Sequence, residues 1–276
     1  MTTAPDRRTA VTDMFSNFAP DYGEADTSYF TTFGAWLVDA AGVRSGDRVF
    51  EVGAGKGAVT VPAAEAVGPT GYVEATDRAA GMLTALQAEV ARRGLTQVRV
   101  RAGDAQEPTS DEADFDVVLA GLVLFFLPDA GMAVDHLQRL LRPGGTLALS
   151  SFDEPDPRWS WLAEMAEYST GWTGGKPPHE GPFVSTEALN GFLAEHGYLQ
   201  VDSTIRELTT TFSSVDQWFD FSNSNGMRTI WMNTPPDRLD AAREHARRRV
   251  QERATADGSI SLTTQVRLTT AQKPGR

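Results

Sequence analysis

"VFEVGAGKGAV", Val49 to Val59, sets three glycines at alternate positions directly after a short apolar run that carries one acid. Glycine lets a partner come close to the backbone, and spacing tests which partner that is. A dinucleotide fingerprint needs G-x-G-x-x-G, but the glycines are Gly53, Gly55 and Gly57, so the third arrives one residue early. A P-loop needs G-x-x-x-x-G-K followed by Ser or Thr; Lys56 follows Gly55, yet position 57 is glycine and position 50 phenylalanine. What remains is an acid, Glu51, followed by G-x-G-x-G at the end of a first strand.

Outward from this loop, short apolar runs alternate with helical stretches, the pattern that builds a parallel sheet covered by helices. Five strands are expected in the first half: Arg48 to Val52, Tyr72 to Asp77, Val98 to Asp104, Phe115 to Leu122 and Thr146 to Phe152. Between the second and third, Met82, Leu83, Leu86 and Val90 repeat at helical spacing, and Gly94 stops the helix. Val134, Leu137, Leu140 and Leu141 form a similar face before Pro143-Gly144-Gly145 forces a turn. Residues 153–183 break the rhythm with prolines, glycines and three tryptophans, and read as an insertion beside a ligand cleft. Further on come a helix capped by Ser185 or Thr186, a strand from Leu199 to about Leu208, two helical segments, and a final strand that completes the sheet as a hairpin.

At 276 residues, 41% hydrophobic and 22% charged, the chain can bury a full core. A net charge of -12 opposes the basic footprint that nucleic-acid binding needs. "REHARRRVQER" accordingly reads as a solvated helix face with interspersed Glu. The absence of Cys excludes disulfides and thiolate metal sites. No run approaches the length of a membrane span and the start lacks the apolar core of a signal peptide, so a cytoplasmic protein is expected.

The glycine loop resembles motif I of the class I S-adenosylmethionine (SAM) dependent methyltransferases, and further residues extend the resemblance over most of the chain. Asp77 ends the second strand about 20 residues on, where the family's acid holds both ribose hydroxyls. Asp104 in "AGDAQEP" matches the Asp that takes the adenine amino group, and Ala120-Gly121-Leu122 matches the segment along the methionine part. The resemblance implies a Rossmann-like seven-stranded, mostly parallel sheet with helices on both faces and a C-terminal antiparallel hairpin, under a helical, aromatic lid. It implies one domain: an N-terminal helical lid (1–46), a cofactor core (47–152), a lid insertion (153–183) and the C-terminal half (184–276), with a helical insertion over 213–257. SAM is the implied cofactor, held by Tyr22, Glu51, Gly53, Ala54, Gly55, Gly57, Asp77, Arg78, Met82, Asp104, Ala105 and Ala120.

Absent motifs narrow the type. There is no Asn-Pro-Pro-Tyr-like stretch after the fourth strand, where the chain reads "AGLVLFFLPD", so base or glutamine methylation is disfavoured. Only Asp129 lies near that strand end, so no metal is expected. The chain is most similar to the small-molecule group related to ubiquinone and menaquinone biosynthesis methyltransferases, which implies methylation of carbon or oxygen on an aromatic, indole, terpenoid or polyketide intermediate. Aromatic residues before the first strand and in the lid segments, among them Trp159, Trp161, Trp218, Phe219, Phe221 and Trp231, fit a largely apolar substrate, although at least half are expected to be core. Tyr29, Phe126, Trp172 and Phe183 are the substrate candidates, and His179 in "GKPPHEGPF" is the candidate base. His136, His196 and His245 read as structural or exposed. A NAD-dependent oxidoreductase on a similar sheet and a non-catalytic SAM-binding module are the alternatives. The sequence does not fix the oligomeric state.

Overall fold

Strands covered on both faces read as near-continuous apolar runs, and Arg48–Val52 (β1) is buried at its last four positions, Glu51 included. The computed structural model describes residues 7–25, 27–110, 114–169 and 181–275. The other strands are Tyr72–Asp77 (β2), Val98–Ala102 (β3), Phe115–Gly121 (β4), Leu141–Pro155 (β5), Leu199–Phe212 (β6) and Ile260–Gln272 (β7). They form one sheet in the order β3-β2-β1-β4-β5-β7-β6, with β7 antiparallel to both neighbours and the other pairings parallel. The sequence direction reverses on either side of β1 and β4. A crevice opens at the carboxyl ends of strands at such a switch point.

Helices Arg7–Phe18 (α1), Thr27–Ala41 (α2), Thr60–Val67 (α3) and Ala80–Arg93 (α4) occupy the first half, and Ala130–Leu140 (α5) precedes β5. Thr186–Glu195 (α6) precedes β6; Val215–Asn223 (α7), Arg228–Met232 (α8) and Pro236–Gln251 (α9) lie between β6 and β7. Beside two smaller clusters at α1 and α4, two large apolar cores result. One joins α2, α3, α7 and α9 to one face of the sheet, and the other joins α5 and α6 to the opposite face. Local chemistry sets the ends. Ser185, not Thr186, caps α6 by accepting from the Ala188 amide, Asp129 caps α5 through the Met132 amide, and Gly94 closes α4 in the left-handed conformation.

Three expectations shift. The fifth strand starts at Leu141 rather than Thr146, because Leu141 pairs with Phe115 and the Gly144–Gly145 turn is sewn to Lys273 by two backbone hydrogen bonds. The first helical segment after β6 breaks into α7 and α8 where Asn225 donates to the Phe221 carbonyl and accepts from the Met227 amide. The insertion's described tryptophans, Trp159 and Trp161, do not face the cleft. Trp159 and Trp161 lie on a 3-10 helix, Pro157–Glu167, and pack into Trp218, with ring centroids 5.6 and 5.8 Å away. A large aromatic surface is worth more buried than lining a wet groove.

Candidate functional site

Glycines 53, 55 and 57 all take positive φ (65°, 55° and 99°), but their surroundings differ. A Cβ on Gly53 would lie 2.5 Å from Val123, and one on Gly57 2.7 Å from Leu86; one on Gly55 would meet nothing within 4 Å. Gly53 and Gly57 therefore let the loop sit against the protein, while Gly55 faces open cleft. The loop is tied to β2, since the Gly55 amide donates to Asp77 Oδ2 (2.8 Å) and the Ala54 amide to the Thr76 carbonyl (3.0 Å). The Ala79 amide donates to Asp77 Oδ1 at 2.8 Å. Burial raises the Asp77 carboxyl above its usual range, and the amides of Ala79, Gly55 and Arg78 pull it back.

Beneath the loop, Glu51 is almost wholly buried and accepts 2.6 Å from Thr60 Oγ1. Burial raises its carboxyl from 4.5 to about 8, against the Thr60 hydrogen bond and with the Asp77 charge adding to the shift. Across the loop, Tyr22 stacks on Phe30 at 4.9 Å, and burial likewise pushes its phenol upward. Phe15 meets both Tyr22 and Phe126 edge-on. The segment carrying Tyr22 is fastened at three points: Glu24 to Lys56 of the loop, Asp21 to Arg228 of α8 (3.0 Å), and the Gly23 amide to the Ser224 carbonyl (2.7 Å).

Together these residues enclose a cleft of about 1080 Å³. Of the residues expected to hold a cofactor, Tyr22, Glu51, Gly53, Ala54, Gly55, Gly57, Asp77, Arg78, Met82, Asp104 and Ala105 line it. Ala120 does not. It is fully buried within β4, between Val52 and Leu149, and the next two residues, Gly121 and Leu122, reach the cleft instead. Among the substrate candidates Phe126 lines the cleft. Tyr29 packs into the core on Phe33 and Phe221 with its hydroxyl 3.0 Å from Thr264, and Phe183 is buried beside Phe125. Trp172 and His179 lie outside the described residues.

Other histidines are engaged elsewhere: His136 Nδ1 with the Gln106 carbonyl (3.2 Å), His196 with Asp135 (2.7 Å) and His245 with Glu164 (2.8 Å). Among the described residues no histidine lines the cleft, and no group of three His, Asp or Glu could hold a metal ion.

Among the wall residues that sequence reasoning missed, Gly34 and Ser150 are the most informative. Gly34 of α2 lies so close to the loop that a Cβ there would be 1.9 Å from the Ala58 carbonyl oxygen. The signal was available, since a glycine inside an apolar helix costs about 1 kcal/mol against alanine and is retained where something packs tightly on it. Ser150, buried within β5 opposite the last residue of β4, also faces the cleft, and no motif pointed to it.

The donor set fits SAM. Asp77 meets the Gly55 and Ala79 amides through different oxygens, and a carboxylate, with about four acceptor positions, has capacity left that a ribose hydroxyl could use. The open face at Gly55 leaves room for a ligand against the backbone.

The model of a methyltransferase domain matches residues 49–145. Nocamycin O-methyltransferase of Saccharothrix syringae is 31% identical over 263 residues, covering 91% of this chain and 94% of its own length. Aklanonic acid methyltransferase of Streptomyces sp. (strain C5) is 36% identical over 141 residues, 51% of this chain and 64% of that protein. In fold, the chain resembles a SAM-dependent methyltransferase from Aquifex aeolicus, with TM-score 0.52 and 21% identity over 66% of this chain and 87% of that one. The chain belongs to the class I SAM-dependent methyltransferases. Its cofactor is SAM and its reaction is methyl transfer to a small molecule. No helix among the described residues is long and apolar enough to cross a membrane.

Proposed function

We propose that this enzyme methylates an oxygen or carbon of a largely apolar, polyketide-type biosynthetic intermediate in the cytoplasm, and does not act on nucleic acid. The observation that carries the reading is the likeness over 91% of the chain to an enzyme named for O-methylation of nocamycin, with the aklanonic acid enzyme in support. The cleft agrees with it, because Phe15, Tyr22, Phe30 and Phe126 offer aromatic surface for stacking. A net charge of -12 disfavours a polyanion.

Strand order supports an orientation for the cofactor. Asp104 and Ala105 follow β3, Asp77 ends β2, the glycine loop follows β1, and Leu122 follows β4. The adenine then lies against Asp104 and Ala105 with Arg78 and Met82 beside it, the ribose on Asp77, and the methionine part over Glu51 and the glycines. The acceptor lies beyond, over the end of β4 and Ser150 of β5, under Tyr22 and Phe126. The N-terminal helical segment, 1–46, acts as its cover, with Phe15, Tyr22 and Phe30 on the cleft wall.

When bound, SAM supplies a methyl group already activated by its sulfonium. The chain's part is to hold the acceptor in line and to exclude water, and such positioning is worth roughly 7–11 kcal/mol of barrier. Aromatic walls suit that task. His179 remains the candidate to take a proton from the acceptor, and His179→Ala should then lower kcat most at low pH.

Incubation with [methyl-14C]SAM and a panel of phenolic and polyketide acids, aklanonic acid included, tests the proposal beside DNA and RNA. Label is expected in a small apolar acceptor. Label in nucleic acid, or in no member of a broad panel, would overturn it.

A further inference from the structure

Among the described residues three other than glycine hold positive φ: Asp114, Gln200 and Leu122. Asp114 is of a type that tolerates the left-handed region, and Gln200 lies where the register of edge strand β6 shifts. Leu122, at 51°, has neither excuse and lines the cleft. Backbone strain of this kind persists only where neighbours enforce it, and it gathers at functional sites.

The enforcing neighbour is Ser150. Gly121 and Ser150 are register partners at the last rung between β4 and β5, and the left-handed turn takes the next amide out of the ladder. That amide, of Leu122, donates instead to Ser150 Oγ at 3.1 Å. Ser150 is 3% exposed and itself lines the cleft. From the turn the chain runs directly to Val123, pressed on Gly53, and to Phe126, edge-on to Phe15 at 5.3 Å. One serine hydroxyl therefore holds the bend that joins the cofactor loop to the aromatic wall.

We infer that Ser150 is a positioning residue for methyl transfer, holding Leu122 in its left-handed turn and so fixing the wall at which acceptor and methyl group meet. The inference rests on the cofactor orientation given above. It predicts that removal of one hydroxyl disturbs the methyl end of the cleft and leaves the adenine and ribose end as it was.

Four variants test this: Ser150→Ala, Ser150→Thr, Leu122→Asn, and Ser150→Ala combined with Leu122→Asn. Asn is close to Leu in size and adopts the left-handed region readily. Three measurements apply to each: the carbon-13 shift of bound [methyl-13C]SAM, hydrogen exchange of the residue-122 amide, and affinity for S-adenosylhomocysteine. In Ser150→Ala the amide should exchange roughly tenfold faster, as loss of one ordinary hydrogen bond would give. The bound methyl signal should move toward that of free SAM, with S-adenosylhomocysteine affinity retained. Ser150→Thr should keep the parent signal, and Leu122→Asn should restore it in the double variant. Should Ser150→Ala not fold, Ser150→Cys, whose thiol accepts poorly, carries the same test.

A methyl signal in Ser150→Ala identical to the parent's would overturn the inference, as would one that neither Thr nor the double variant restores. Equal loss of S-adenosylhomocysteine affinity would also overturn it. Failure of the parent protein to bind SAM would instead sink the cofactor orientation, and the inference with it.

Discussion

Asp77 and Gly55 are joined across 22 residues of sequence by one hydrogen bond of 2.8 Å, from the glycine amide to a carboxylate oxygen. On the proposed cofactor orientation, the acid that grips the ribose also holds the glycine loop. Asp77→Ala should lower affinity for S-adenosylhomocysteine by about 100-fold or more, since each hydrogen bond to a charged group is worth about 1.5–3 kcal/mol. Asp77→Asn, which keeps an acceptor oxygen, should lose less. Calorimetry decides; undiminished binding by Asp77→Ala would remove Asp77 from the site.

Glu51 makes the fold sensitive to pH. Its carboxyl is raised from 4.5 to about 8 by burial, so the folded chain holds its proton more tightly than the unfolded chain does. That contribution to stability is complete below about 4.5 and is lost as pH rises through about 8. Tm of the parent should therefore fall across this window relative to Glu51→Gln, which cannot ionise. Cofactor affinity should move the other way. Ionised Glu51 favours a cation, so SAM should gain on S-adenosylhomocysteine as pH rises through about 8, and Glu51→Gln should abolish the gain.

Arg267 and Asp153 form an ion pair buried on both sides, and the guanidinium also donates to the Phe183 carbonyl (3.2 Å) and Thr186 Oγ1 (3.0 Å). Arg267→Met leaves an uncompensated buried carboxylate and should cost about 3–5 kcal/mol in denaturant unfolding. Arg267→Met with Asp153→Leu should recover much of that loss, because removing both charges also removes the need to pair them.

Gly34→Ala should weaken cofactor binding although Gly34 lies in a helix outside the glycine loop, because the new methyl would collide with the Ala58 carbonyl. Overpacking of this kind costs about 1–3 kcal/mol. Gly191 in α6 has nothing within 4 Å of a built Cβ, so Gly191→Ala should stabilise by up to about 1 kcal/mol. Thermal melts with and without S-adenosylhomocysteine separate the two cases.

What the sequence disclosed follows what its patterns encode. β1, β2 and β4 are covered on both faces and advertise themselves as apolar runs, and the loop and acids at their ends are fixed by spacing along the chain. Tryptophans carry no such address. Trp159, Trp161 and Trp218 would look the same lining a groove or filling a core, and only the approach of α7 to the 3-10 helix makes them core. Tyr29 misleads for the same reason, its hydroxyl being satisfied by Thr264 from a strand 235 residues away. Ser150 was invisible because its role depends on the backbone angle of Leu122, the residue that follows another strand.

Phe212 and Ile260 are partners on the last rung of the ladder between β6 and β7, and helices α7 to α9 leave and return at that one rung. The sheet holds the two stumps side by side whatever is strung between them. Such a joint behaves as a socket: it fixes where the three helices leave and re-enter the sheet, and so delivers Trp218, Phe221 and Val250 to the core they share with α2 and α3. From that rung the chain also reaches the cleft's edge at second hand, since Ser224 and Arg228 hold the stretch that bears Tyr22.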